Sequence, residues 1–318
     1  MADEKPLISI VIPVYNEEDT ILTCYNAVSR AVDHLSGSFN FEFVFTDNHS
    51  TDNTPRILRD LAQSDPRVCA YRFSRNFGYQ RSILTAYLKC KGDAAIQLDC
   101  DLQDPPELIG VFINHWQQGC DVVYGIRKAR FESRRWHYAR RIFYWLVDFL
   151  SEDPIPQNAG DFRLISRRVI EELRLMEDNK PYLRGSIATL GFRQQGIDYD
   201  RRPRLVGKTK FSIYDTVMLA LDGIINHSIV PLRVATYIGI TVSFLTTLAI
   251  IGYLIAHFTV GFRAPAGFTT ITVLILGSLS INALLLGILG EYLGRMYLQM
   301  KKKSLTIIEE TMHKVRSS

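Results

Sequence analysis

Residues 97–107 read Gln-Leu-Asp-Cys-Asp-Leu-Gln-Asp-Pro-Pro-Glu, and they directly follow the apolar residues 94–96. In an extended chain, residues two apart point to the same side, so Asp99 and Asp101 can face one point at the end of a buried strand. Holding two carboxylates together is costly without a cation, and Mg²⁺ commonly shares such a site with substrate phosphates. An isolated Asp-x-Asp pair is more often a solvated turn, so the rest of the chain decides between the two interpretations.

Three further apolar runs also end at clusters of polar residues. Residues 7–13, 41–46 and 68–73 are rich in β-branched and aromatic side chains, which is typical of buried strands. Helical sequence follows each run, and strands that alternate with helices predict a parallel α/β sheet. Such sheets bind ligands beyond the carboxyl ends of their strands, where Asp47 and Arg75 join the acid pair. Asp47 could instead simply cap a helix.

Taken together, the motifs of this chain resemble glycosyltransferases of family 2. The similarity extends over the whole chain and is carried by residues 11–17 (Val-Ile-Pro-Val-Tyr-Asn-Glu), 47–54, 74–78 (Ser-Arg-Asn-Phe-Gly), 99–107, 124–127 (Tyr-Gly-Ile-Arg), 160–164 (Gly-Asp-Phe-Arg-Leu) and 204–210 (Arg-Leu-Val-Gly-Lys-Thr-Lys). The chain is most similar to the polyprenyl-phosphate branch, which includes bactoprenol glucosyltransferases and dolichyl-phosphate mannose synthases. This resemblance implies an α/β, GT-A (Rossmann-like) catalytic domain, a nucleotide-sugar donor and a divalent metal, Mg²⁺ or Mn²⁺.

The resemblance also implies which residues bind the donor. Asp101 is expected to be the first metal ligand, with Asp99 and Gln103 in support. Asp47 and Asp99 are expected to face the nucleoside. The remaining donor-binding candidates are Pro13, Tyr15 and Glu17, which would shape the nucleoside pocket, and Arg75, which would lie near the nucleotide.

A polyprenyl phosphate acceptor attacks with an oxygen that is already anionic at neutral pH, so the reaction needs no strong general base. It needs cationic side chains that hold two anions close together. By resemblance, phosphate contacts are expected from Arg127, Arg204 and Lys210, and Arg163 suits the same role. Asp161 could orient Arg163, contact the sugar, act as a base or form a structural salt bridge. We expect a single in-line displacement with inversion at the anomeric carbon.

The C-terminal third of the sequence is strongly apolar. Residues 234–256 and 264–290 contain no charged side chain, and each exceeds the roughly 20 residues that span a bilayer. We therefore expect a C-terminal hairpin of two transmembrane helices rather than two buried core helices. The flanking basic residues predict a multi-pass protein of the inner (plasma) membrane, with the catalytic domain and both termini cytoplasmic. Glycines in both segments allow close helix packing, and we expect a homo-oligomer.

These patterns predict four regions. They are a cytoplasmic GT-A glycosyltransferase domain over residues 1–210, an interfacial juxtamembrane helix over 211–231, two transmembrane helices over 232–297 and a basic cytoplasmic tail over 298–318. The basic and aromatic residues between 127 and 145 indicate contact with membrane lipids. Nucleic acid is excluded as a partner because the chain has two predicted spans and a net charge of only +4. The five cysteines are scattered without metal-ligand spacing and indicate reduced thiols.

The predicted activity is transfer of a hexose, glucose in the first instance, from UDP-glucose to undecaprenyl phosphate. One alternative is a processive polysaccharide synthase, but those enzymes carry Gln-x-x-Arg-Trp, and here Glu132-Ser133-Arg134 precedes Arg135-Trp136. Another alternative is an inactive sugar-nucleotide-binding scaffold for a flippase partner. The acids and arginine that the chemistry requires are present in the chain, which disfavours the scaffold.

Overall fold

The computed structural model describes residues 5–127, 159–176, 181–202, 267–300 and 304–314, with isolated positions between 237 and 259. Eight strands and seven helices lie within these ranges. In chain order they are β1 (Leu7–Val14), α1 (Ile21–Asp33), β2 (Asn40–Asp47), α2 (Thr54–Ser64), β3 (Val68–Phe73), α3 (Tyr79–Lys89), β4 (Ala94–Gln97), α4 (Leu108–Gln117), β5 (Val122–Arg127), β6 (Ala159–Ser166), α5 (Arg167–Leu175), α6 (Leu183–Thr189), β7 (Gln194–Tyr199), α7 (Gly267–Met300) and β8 (Ile308–His313).

The eight strands form one sheet in the order β7-β5-β6-β4-β1-β2-β3-β8. The four central strands, β4, β1, β2 and β3, are parallel, which confirms the α/β architecture predicted from the apolar runs. The sheet as a whole is mixed, because β6 runs antiparallel between β4 and β5, and β8 runs antiparallel to β3. β1 to β5 and β7 all end at one edge of the sheet, here called the carboxyl edge, and β6 begins there.

Apolar side chains cover both faces of the sheet, as expected for parallel strands between two helical layers. Along β1, Ile10 packs with α1, α2 and α4, whereas its neighbour Val11 packs with α3, α5 and α6. In α1 the buried residues Ile21, Cys24 and Val28 recur at helical spacing, which explains why this segment forms a helix against the sheet. Burial on both faces fixes the register of the central strands and therefore the positions of their ends.

The segment predicted as a basic tail contains the edge strand β8. Its backbone pairs with β3, where Ala70 lies opposite Met312, which is buried. Arg59 on α2 donates two hydrogen bonds of 2.8 Å to the carboxylate of Glu310. β8 therefore belongs to the same compact unit as the rest of the sheet, while α7 belongs to a second unit.

Residues 267–290 of the second predicted spanning segment lie in α7, a helix of 34 residues. The first lies largely outside the described residues, as do the predicted interfacial helix and the basic region after Arg127. Within the part of the chain that the structure describes, no helix combines the length and apolarity needed to cross a membrane. This finding contradicts the predicted multi-pass membrane location. That prediction rested on the absence of charged side chains from two stretches, and an absence of charge does not by itself supply the continuous apolar length that a spanning helix needs.

Candidate active site

The acid pair lies on the loop that follows β4. Asp99 Oδ1 accepts a hydrogen bond of 2.5 Å from the Tyr79 hydroxyl and one of 2.8 Å from Gln97 Nε2. Leu102 has a φ of 53°, a left-handed conformation that non-glycine residues seldom adopt and that often occurs at functional sites. Side chains from α3 and β4 therefore fix the Asp99 carboxylate, and the backbone after it turns sharply.

The environment of Asp99 is strongly acidic. The pKa of Asp99 is raised to about 6, chiefly by burial; the charges of Asp104, Asp161 and Asp101 add to the rise, and the hydrogen bond from Tyr79 opposes it. Each of these three carboxylates disfavours ionisation of Asp99. A cation or a set of donors from a ligand would stabilise the ionised form of Asp99.

Asp101 is buried, and its Oδ1 accepts a hydrogen bond of 3.2 Å from the backbone N–H of Gln103. Mg²⁺ is usually held by one or two carboxylates, and phosphate and water oxygens complete its shell. Asp99 and Asp101 meet that requirement, and a cation bound at this loop would compensate the burial and the neighbouring acids that raise the pKa of Asp99. In the described ranges, no group of three or more His, Cys, Asp or Glu side chains is arranged to hold a metal ion.

Asp47 ends β2 beside the last residue of β1, and its side chain is fully buried. Its Oδ1 accepts a hydrogen bond of 2.9 Å from the backbone N–H of Ser50. Among the described residues, no hydrogen-bond donor reaches Oδ2, although Arg72 Nε lies 4.0 Å away. Burial raises the pKa of Asp47, and the hydrogen bonds from Ser50 and the charge of Arg72 oppose that rise. An N–H group from a ligand would satisfy Oδ2.

Hydrogen bonds join the loops after β1 and β2 across the carboxyl edge. Asn16 N donates to Ser50 Oγ at 2.9 Å, and Glu17 N donates to Thr54 Oγ1 at 2.9 Å. Asn16 and His49 have φ values of 54° and 66°, so each loop contains one left-handed residue. Two other predicted donor residues lie here: Pro13 is buried, and Tyr15 presents an exposed ring.

Arg75 lies on the loop after β3, and its guanidinium stacks 4.1 Å from the centre of the Phe77 ring. Asn48, which follows Asp47, accepts a hydrogen bond from Phe77 N at 2.8 Å and donates to Asn76 Oδ1 at 2.9 Å. The structure thus brings the loop that carries Arg75 against the end of β2. The Arg75 side chain itself is exposed.

The first residues of β6 place Asp161 and Arg163 next to the end of β4. Arg184 donates to both Asp161 oxygens, with distances of 3.0 and 2.7 Å. Burial alone would raise the pKa of Asp161, but the hydrogen bonds and charge of Arg184 outweigh it and the pKa is lowered. Arg163 donates instead to the Gly160 carbonyl at 2.9 Å, and burial lowers its pKa. The arginine that the Asp161 carboxylate holds is therefore Arg184 and not Arg163.

Arg127, at the end of β5, belongs to a second buried cluster. Its Nε donates to the Tyr199 hydroxyl at 3.2 Å, and its Nη2 lies 3.7 Å from Asp104 Oδ2. The Tyr199 hydroxyl donates to Asp104 Oδ1, and Arg201 Nε lies 3.7 Å from that oxygen. Asp104 is thereby surrounded by two cations and one hydroxyl at the carboxyl edge.

Sequence reasoning missed five of these residues, Arg72, Tyr79, Asp104, Arg184 and Tyr199. Asp104 belongs to the segment 97–107, and its position three residues after Asp101 was the signal that could have identified it. The other four lie within a strand or helix and belong to none of the motifs. Two predicted phosphate contacts, Arg204 and Lys210, lie outside the described residues.

Comparison with known proteins identifies the family of this chain. The model of the family described as glycosyl transferase family 2 matches residues 9–174. The chain belongs to glycosyltransferase family 2. A prophage bactoprenol glucosyl transferase homolog from Escherichia coli is 37% identical over 95% of this chain and 98% of its own length. An uncharacterized glycosyltransferase from Synechocystis is 35% identical over 95% of each chain.

Among solved structures, glucosyl-3-phosphoglycerate synthase from Mycobacterium tuberculosis, in complex with Mn²⁺, UDP and glucosyl-3-phosphoglycerate, is 18% identical, with a TM-score of 0.41. That likeness covers 69% of this chain and 78% of the other. Membership of family 2 confirms the family resemblance and makes the protein a glycosyltransferase with a GT-A-like α/β fold and a mixed sheet.

Proposed function

We propose that this glycosyltransferase moves glucose from UDP-glucose to a polyprenyl phosphate, undecaprenyl phosphate in the first instance. Relatives named bactoprenol glucosyl transferase, which match nearly the whole chain at about 36% identity, support both the sugar and the acceptor. The reaction would be one in-line displacement, in which an acceptor phosphate oxygen attacks the anomeric carbon and the diphosphate departs. An α-linked donor would then give a β-linked lipid-phosphate sugar.

One observation carries this proposal: a single edge of the sheet holds two partly separate sets of charged groups. Acids at the ends of β2 and β4 lie on one side, where Asp47 Oδ2 is a buried acceptor and Asp99 and Asp101 lie on the loop after β4. Arginines lie on the other side, where Arg184 pairs with Asp161 and Arg127 lies against Asp104. A reaction between a nucleotide diphosphate and a second phosphate requires such neighbouring acidic and basic regions.

The acidic region suits the nucleotide. Asp47 Oδ2 could accept an N–H from the nucleobase, beside the exposed ring of Tyr15. Asp99 and Asp101, with Gln103, would hold a divalent metal, and a bound metal would offset the negative charge that develops on the leaving diphosphate. The hydrogen bonds from Tyr79 and Gln97 hold Asp99 in one orientation, which reduces the cost of organising the site when the donor binds.

The basic region suits the acceptor. Arginine binds phosphate with two parallel hydrogen bonds, and the two-point contact of Arg184 with the Asp161 carboxylate displays that geometry. Arg127 would contact phosphate while Asp104 and Tyr199 hold its guanidinium. Because the attacking phosphate is already anionic, these residues act by orienting it and by lowering repulsion between the two substrates.

The test is a transfer assay with the purified full-length chain in detergent. Undecaprenyl phosphate, Mg²⁺ or Mn²⁺ and a panel of radiolabelled UDP- and GDP-sugars are mixed, and label is followed into the organic phase. We expect lipid labelling with UDP-glucose, a β configuration at the anomeric carbon by NMR, and a requirement for metal.

Undecaprenol, which lacks the phosphate, is the matched control acceptor and should remain unlabelled. Labelling with another sugar would replace glucose in the proposal and retain the acceptor. Labelling of undecaprenol, or no labelling of the phosphate with any donor, would refute transfer to a polyprenyl phosphate.

A further inference from the structure

The C-terminal strand β8 brings an acidic side chain to the nucleoside side of the carboxyl edge. Glu309 Oε2 lies 3.5 Å from Arg72 Nε and 3.9 Å from His49 Nδ1. His49 Nδ1 is also 3.0 Å from the Phe73 carbonyl. Arg72 lies in β3 opposite Asp47, and His49 lies on the loop after β2. A residue more than 200 positions away in the sequence therefore lies beside the strand and the loop that surround Asp47.

Arg72 lies between two carboxylates. Its Nε is 3.5 Å from Glu309 Oε2 and 4.0 Å from Asp47 Oδ2, while its Nη2 donates to the Ser50 carbonyl at 3.4 Å. The last contact holds Arg72 against the turn whose backbone N–H binds Asp47 Oδ1. The guanidinium therefore offsets the charge of Asp47 from just beyond hydrogen-bonding distance.

We propose that Glu309 is a positioning residue of the donor site, which holds Arg72 away from Asp47 Oδ2 so that this oxygen stays available to the nucleobase. This inference rests on the proposed function, because it assigns the nucleotide to the pocket at Asp47. The C-terminal strand then has a role in donor affinity in addition to completing the sheet.

The expected effect of removing Glu309 follows from the two distances. Without the carboxylate of Glu309, Asp47 is the acidic partner that remains beside Arg72, and a shift of about 1 Å would bring the guanidinium into hydrogen-bonding distance of Oδ2. The nucleobase would then compete with Arg72 for the same oxygen. Because Glu309 is about half exposed, water and salt screen its charge and the effect should be moderate.

The experiment measures binding of UDP and of GDP, each with Mg²⁺, to the full-length chain by isothermal titration calorimetry. Glu309→Gln, which keeps the shape of the side chain, should raise the Kd of whichever nucleotide the wild type binds by about three- to fivefold. In the transfer assay it should raise KM for the donor and leave kcat unchanged. Added salt should shrink the difference from wild type.

Glu310→Gln is the matched control, because Glu310 is the next residue on β8 and pairs with Arg59 on α2. Glu310→Gln tests whether loosening β8 alone weakens nucleotide binding. We expect it to leave the Kd of the nucleotide unchanged. A second test uses the Arg72→Ala background, in which Glu309→Gln should have no further effect.

Three results would overturn the inference while the proposed function stands: unchanged Kd in Glu309→Gln, equal weakening by Glu310→Gln, or a full effect of Glu309→Gln without Arg72. Failure of the wild type to bind either nucleotide would instead refute the proposed donor site, and this inference with it. The two failures are therefore distinguishable from the wild-type titration alone.

Discussion

Replacing Asp99 by Asn should stabilise the metal-free protein and abolish transfer. The amide retains an oxygen that can accept the hydrogen bonds from Tyr79 and Gln97, so the local geometry can persist. The substitution removes a negative charge from a buried group of acids. In that environment the pKa of Asp99 is raised from 3.8 to about 6. A site that favours ligand binding at the expense of stability is a common compromise in enzymes.

The size of the effect follows from that pKa. A rise of this size corresponds to about 3 kcal/mol of destabilisation when Asp99 is ionised. Asp99 is partly exposed, so solvent screens its charge. The free energy of unfolding of Asp99→Asn should therefore exceed that of the wild type by about 1–2 kcal/mol. The folded protein binds the Asp99 proton more tightly than the unfolded chain, so wild-type stability falls as pH rises from about 4 to 6. The advantage of Asp99→Asn should therefore be complete above pH 6 and should disappear below about pH 4.

Urea denaturation in EDTA at pH 7.5 and at pH 4 measures the difference in stability between Asp99→Asn and the wild type and the dependence of that difference on pH. Asp60→Asn, an equivalent substitution on the exposed face of α2, should change the free energy of unfolding by less than about 0.5 kcal/mol. Adding Mg²⁺ and UDP should stabilise the wild type more than Asp99→Asn, because a bound ligand stabilises the state that binds it. A variant that is less stable than wild type at pH 7.5, with an unchanged circular dichroism spectrum, would refute the electrostatic argument.

Other substitutions at the carboxyl edge give distinct expectations. Asp161→Asn should lower the free energy of unfolding by roughly 2 kcal/mol at pH 7.5, because the amide removes the charge that pairs with Arg184 and keeps only one of the two oxygens that accept its hydrogen bonds. Since the pKa of Asp161 is lowered, urea denaturation should show this deficit narrowing as pH falls below about 4. Gly160→Ala would place a Cβ 2.9 Å from Arg127 Nη2, and it should raise KM for the acceptor with little loss of stability, whereas Gly37→Ala, with open space around it, should leave KM unchanged. Asp101→Ala should abolish transfer and keep the wild-type circular dichroism spectrum; full activity would remove Asp101 from the metal site.

The central sheet was predictable because its strands are buried on both faces. Residues 7–13, 41–46 and 68–73 are mostly apolar, and β1, β2 and β3 form where these stretches lie. β6 and β8 were not predicted as strands, because residues such as Asp161, Arg163 and Glu309 interrupt their apolar pattern. Their formation depends on pairing with strands distant in the sequence, which no local pattern reports.

The candidate site was predictable to the extent that it lies at the ends of parallel strands. That rule located Asp47, Asp99 and Asp101, and the structure places all three at the carboxyl edge. The residues that hold them follow no such rule: Tyr79 begins a helix and Arg72 lies within β3. Tyr79 is identified as a partner of Asp99 by the packing of α3 on the sheet. Arg72 is identified as a neighbour of Asp47 by the pairing of β3 with β2, which places the two residues opposite each other.

The acids of this edge differ in how the protein compensates their charge, and that difference separates their roles. Asp161 has a two-point contact with Arg184, and its pKa is lowered. Asp99 accepts hydrogen bonds from the neutral side chains of Tyr79 and Gln97, and Asp47 lies beyond hydrogen-bonding distance of Arg72; both have raised pKa values. A carboxylate that the protein itself stabilises can serve as a fixed support for an arginine. Asp47 and Asp99 gain most from a bound partner, an N–H donor for the first and a cation for the second, and a nucleotide diphosphate with its metal supplies both.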